Sequence, residues 1–164
     1  MDLDLSGRPR NDPVPGYARR LRPVQRICAG LAAAVALFAV LSWLLVRRSG
    51  GVPGAPPALP LTLSLFAALL ILLSSRFHWA IVRRAFPRSA ALPVDPQSVL
   101  AAYSRASLIS FAILVTAALI GLLVALTSGS ATYGVILCLV SLFGMLTRWP
   151  RASEVDRVVR GRLR

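Results

Sequence analysis

Apolar and polar positions alternate along this chain in blocks. Four predominantly apolar runs, 27–46, 59–79, 106–127 and 131–149, are set off by arginine-bearing or Gly/Pro-rich segments. A bilayer's hydrocarbon core of about 30 Å takes about 20 residues of helix at 1.5 Å each. Each run is therefore predicted to cross a membrane. The second is the shortest in uncharged residues: Leu61 to Ser75 must borrow Leu59, Pro60 and Phe77 to Trp79, which places Arg76 at headgroup level as an anchor.

The segments between the runs supply the topology. Ser49 to Pro60 is a Gly/Pro linker with four prolines, expected to be extended and not to form a helix. Arg76 to Arg105 is the one internal segment with a cluster of charges. Asp95-Pro96 is a helix start, because Asp caps and Pro is well tolerated at the first helical position. With no breaker before Ser128-Gly129, one helix of about 32 residues is expected there, longer than the bilayer is thick. Ser128-Gly129-Ser130 allows only a tight turn, so the fourth helix runs antiparallel to the third. Residues 1–22, with Pro9, Pro13, Pro15 and three aspartates, are expected to be a disordered basic arm. Residues 150–164 form a basic tail in which Val155, Val158, Val159 and Leu163 line one side, as in an amphipathic helix on a membrane surface.

Six arginines precede the first run, five lie from the end of the second run to the start of the third (Arg76 to Arg105), six from the end of the fourth onward (Arg148 to Arg164), and the remaining two, Arg47 and Arg48, lie in the linker. Positively charged loops resist translocation. Both termini are therefore expected in the cytoplasm. The expected fold is all-α: a polytopic membrane protein of four transmembrane helices in two antiparallel hairpins, followed by the short amphipathic helix. The outer turns, RSGG and TSGS, and the ends LSSRFHW and LTRW suggest a hairpin duplication, but the core residues do not align and shared interfacial needs account for the likeness.

Composition agrees. The 164 residues are 56% hydrophobic with mean hydropathy +0.68, far above soluble domains. The net charge of +13 comes from arginine alone, with no lysine. Together with abundant Ala, Gly, Pro and Leu, this points to a GC-rich bacterial genome, and so to the bacterial inner membrane. In a polytopic chain such charge is explained by topology and anionic headgroups, and no nucleic-acid partner is expected. Cys28 and Cys138 share no metal-ligand spacing and are read as packing residues.

The first run places Gly30 among alanines, and small residues spaced by four let another helix approach closely. On the third, Ala106, Ser110, Ala117, Gly121, Ala125 and Ser128 form a ribbon interrupted only by Leu114. On the fourth, Gly134 shares a face with Cys138 and Ser141. Gly30, Ser110, Ala117, Gly121, Ala125 and Gly134 are thus the candidate helix-packing residues.

Chemistry is sparse. All six carboxylates fall outside the four runs, which removes the embedded acid that proton-coupled transport uses. His78, between Phe77 and Trp79, reads as an interfacial anchor. Ser110, Thr116 and Ser141 have no basic partner and are expected to bond to backbone or across helices. No catalytic residue, metal site or cofactor is expected. Arg76, Arg83, Arg84 and Arg88 are candidate contacts for anionic lipid or an acidic partner, and topology alone also explains them. The expected role is a non-enzymatic accessory or assembly subunit packed against another membrane protein or itself. The alternative is an oligomeric transporter or channel subunit, with Ser110, Thr116, Cys138 and Ser141 lining its path.

Overall fold

A computed structural model describes residues 15–50, 56, 58–85, 96–151 and 153, with the side chains of 15–18, 79, 82–85 and 96 outside that description. The chain is all-helical there: α1 Pro15–Ser49, α2 Ala58–Ala85, α3 Pro96–Ser128 and α4 Ala131–Thr147. Arg19–Ser49, Ala58–His78 and Gln97–Ser128 are long and apolar enough to cross a membrane. The shorter α4 reaches about 25 Å. Leu37, Val40, Leu65, Phe66, Leu72 and Phe143 are among many large apolar side chains left exposed. A soluble monomer rarely shows so much contiguous apolar surface, whereas lipid tails cover it at no cost. This is a membrane protein.

Successive helices run in opposite directions around α3, which touches all three others. Its central place follows from its small residues, Ala106, Ser110, Ala117, Gly121 and Ala125, which let neighbouring helices approach closely. Phe111, Leu114, Ala117, Ala118 and Ala125 are all fully buried. By contrast, α1 buries one seam. Leu21, Cys28, Val35 and Ser42, each seven residues apart, are fully buried, and Val24, Leu31 and Phe38 fill in between them. That a/d spacing is the signature of helices packed at a shallow angle.

The expected hairpin of α1 and α2 takes a looser form than foreseen. The two are antiparallel, but among the described residues no Cα of one lies within 8 Å of a Cα of the other. The seam of α1 faces α3 and α4 instead, and α2 packs mainly on the far side of α3 through Ala67, Ala117, Ile120 and Val124. The connection permits this: a chain from residue 50 to 57 can reach about 26 Å, more than twice a helix diameter. The second hairpin is closed by the expected turn. Gly129 has φ +65°, a conformation that costs a side-chain-bearing residue but not glycine. The Ser128 hydroxyl donates to the Val124 carbonyl at 2.7 Å and accepts from the Ser130 amide at 3.2 Å.

Two further boundaries differ from expectation. Residues 15–22 are helical, where a disordered arm was expected through residue 22. Pro15 holds the first helical position, where a missing N–H is harmless. Leu21 continues the buried seam past Pro23, and that burial outweighs the one backbone bond Pro23 removes. Helix α2 continues to Ala85, past the expected end at 79. Residues 1–14 and, apart from Ser153, the expected amphipathic tail helix lie outside the described residues.

Candidate functional site

The sequence-derived packing residues divide sharply. A Cβ added to Gly121 would meet the Gly134 carbonyl oxygen at 3.2 Å and the Leu137 Cβ at 3.0 Å. One added to Gly134 would meet the Gly121 carbonyl oxygen and the Ala125 Cβ, both at 2.6 Å, and the Ser42 Oγ at 3.2 Å. These two glycines therefore set the distance at which α3 and α4 cross, with α1 close by. Gly144 makes a similar notch for Leu114, whose methyl carbons lie 3.3 and 3.4 Å from where its Cβ would be. Leu114 is thus the knob of the ribbon it seemed to interrupt. Ala117 packs on α2 and Ser110 is buried at the same interface. Gly30 is the exception: it is exposed, and nothing among the described residues lies within 4 Å of a Cβ placed there. As a contact inside the bundle the Gly30 expectation is corrected, because the buried seam of α1 lies on Cys28 and Val35, away from Gly30.

A polar node occupies the end of the bundle where α1 begins and α4 ends. Ser74 on α2, Ser107 and Ser110 on α3 and Ser141 on α4 are all fully buried. The Ser110 hydroxyl makes a long hydrogen bond, 3.4 Å, to the Ser74 carbonyl. The Ser74 hydroxyl donates to the Ile71 carbonyl at 2.6 Å and accepts from the Arg148 guanidinium. Arg148 caps α4, its amide bonding back to the Met145 carbonyl at 3.2 Å, and its half-buried side chain turns inward to α2. One turn outward from Ser74, His78 lies buried, edge-on to Tyr103 with ring centroids 5.8 Å apart. The expectation that His78 is an interfacial anchor is corrected, since its ring packs inside the α2–α3 interface. Trp149 packs edge-on against Phe111 at 6.3 Å. The Gln25 amide donates to the Pro150 carbonyl at 2.9 Å, tying α1 to the chain leaving α4.

The chemistry open to this node is binding. None of the six carboxylates falls among the described residues, so there Arg148 has a hydroxyl for a partner and no acid. The buried Ser107 and Ser141 hydroxyls also find no partner among them, which corrects the expectation that Ser141 bonds to backbone or across helices. Ser74 is engaged with a carbonyl and a guanidinium, an arrangement that does not activate a nucleophile. No three metal-ligating side chains come together among the described residues. Of the basic candidates, Arg76 is exposed. Arg83 and Arg84 lie in the last turns of α2 with side chains outside the description, and Arg88 lies outside the described residues.

The polar residues considered for a transport path do not share a surface: Ser110, Cys138 and Ser141 are buried within one chain, whereas Thr116 is exposed and donates to the Ala112 carbonyl at 3.0 Å. Sequence reasoning missed Ser74, Ser107, Tyr103 and the inward turn of Arg148. The usable signal was spacing, since Ser74 and His78 share a face of α2, as do Tyr103, Ser107 and Ser110 on α3. Comparison of the chain with protein-family models, with curated proteins and with solved structures finds no match.

Proposed function

We propose that this chain is a multi-pass accessory or assembly subunit of the bacterial inner membrane, without enzymatic activity, that docks through α1 against another membrane protein or a second copy of itself. The observation that carries this reading is the open row on α1. Ala29, Gly30, Ala33 and Ala36 are exposed, and none of the described residues fills the space beside Gly30. Small residues at such spacing let a second helix approach closely within lipid, where the packing gained replaces contact with acyl chains. The large apolar residues Leu37 and Val40 flank the row and would grip the incoming helix.

The orientation we propose places the arginine-rich end, with both termini, in the cytoplasm, where the anionic leaflet attracts it. On that side Arg76, Arg83, Arg84 and Arg88 contact headgroups or an acidic segment of the partner. A cysteine at Ala33 tests the docking reading in cells. A crosslinked species that also co-purifies in mild detergent is expected, and a lone monomer under both treatments overturns it. Accessibility labelling of residues 83–88 tests the orientation, and labelling from outside the cell overturns that.

A further inference from the structure

We propose that Arg148, positioned by the Ser74 hydroxyl, forms with Ser107 a binding site for a phosphate group at the end of the bundle where α4 stops. Three independent features converge on this. The first is an imbalance of donors and acceptors. A guanidinium carries five N–H donors in a planar fork and is never deprotonated in a protein. The described residues offer Arg148 a single acceptor, the Ser74 hydroxyl. Arg22, Arg26, Arg76, Arg105 and Arg151 are also exposed toward this end, with no Asp or Glu among the described residues. The unused donors of the Arg148 fork suit an anion with several acceptor oxygens.

The second feature is the fully buried Ser107 hydroxyl, which lacks a partner among the described residues. Ser107 lies on the side of α3 that it shares with Phe111 and Leu114, and these pack on Trp149 and Gly144 of the α4 segment. It therefore faces the region past the end of α4 where Arg148 is anchored. A buried hydroxyl without a partner is costly, and an added oxygen acceptor removes that cost.

The third feature is depth. Ser74 lies about 24 Å along α2 from Ala58, and Arg148 about 26 Å along α4 from Ala131. With the opposite helix ends at the other face, Arg148 stands near the edge of a hydrocarbon layer of about 30 Å, the level of headgroup phosphates. The planar fork of arginine suits phosphate oxygens bidentately. The same chemistry serves a lipid phosphodiester or a phosphate ester arriving from water.

The test uses the full chain in phosphatidylcholine nanodiscs with a minor share of phosphatidylglycerol. After extraction into mild detergent, the phosphatidylglycerol that stays with the protein is measured. Enrichment is expected, falling about fivefold in R148Q and much less in R76Q. A second arm titrates inorganic phosphate against the protein in phosphatidylcholine alone, reading protection against thermal unfolding. Enrichment lost in R148Q assigns the phosphate to lipid. Protection lost in R148Q without any enrichment assigns it to a soluble ester. Equal behaviour of wild type and R148Q in both arms overturns the site, as does an equal loss in R76Q, which marks mere surface attraction. Should R148Q not remain monodisperse, R148K, which keeps charge but loses the fork, and S107A take its place. Unchanged binding in both of these also overturns the proposal.

Discussion

Helices α3 and α1 are both long, both rich in small residues, and have opposite fates. On α3 the small residues are buried by neighbours of the same chain: Ala117 against Ala67 of α2, Gly121 against Gly134 of α4. On α1 one seam, from Leu21 to Ser42, is buried, while Gly30 and the alanines beside it face outward. The same residue type is thus a closed joint in one helix and an open surface in the other. Composition does not separate the two cases; the neighbour does. Even α3 has an open side, with Arg105, Ile109, Ala112, Thr116 and Leu119 exposed where α1 and α2 stand apart.

This contrast can be broken by substitutions that act unequally on the two helices. The largest loss is expected from Leu114→Ala, which empties the notch at Gly144. About 2–5 kcal/mol of stability should be lost, read as a lower melting temperature by size-exclusion chromatography after heating in detergent. Next comes Gly134→Ala, whose new Cβ meets backbone of α3 that cannot yield without parting the helices. A cost of about 1–3 kcal/mol is expected in the same assay, and an unchanged melting temperature would show that α3 and α4 do not cross at this distance. Ser110→Ala removes one long interhelical bond and should cost about 0.6 kcal/mol. Smallest in stability is Gly30→Leu, within about 0.5 kcal/mol because its side chain enters open space. Yet this last change should abolish crosslinking through α1. If it instead destabilises the lone chain as strongly as Gly134→Ala, the two helices are alike and the contrast fails.

Much of the architecture was legible in the residues. Block lengths predicted four helices, Asp95-Pro96 predicted where α3 begins, Ser128-Gly129-Ser130 predicted the turn, and the ribbon on α3 is buried as its spacing implied. These features are local: each depends on a run, a cap or a period within one segment. What escaped was non-local. That the backbones of α1 and α2 stand apart follows from the other interfaces together, and no single segment carries it. The burial of His78 needed Tyr103 to be placed opposite, and the inward turn of Arg148 needed Ser74. An arginine at a helix end reads as topology until its neighbour is known. Residues 15–22 were missed for a different reason: their proline and arginine content masked Leu21 as the first member of a heptad seam.

That the first two helices stand apart bears on the chain's birth order. Among the described residues before 96, α1 and α2 are two rods whose backbones nowhere approach closely, so they give each other little support. Consolidation waits for α3, the keystone to which both must attach. A chain cut short of α3 would lack the one helix that the other three share.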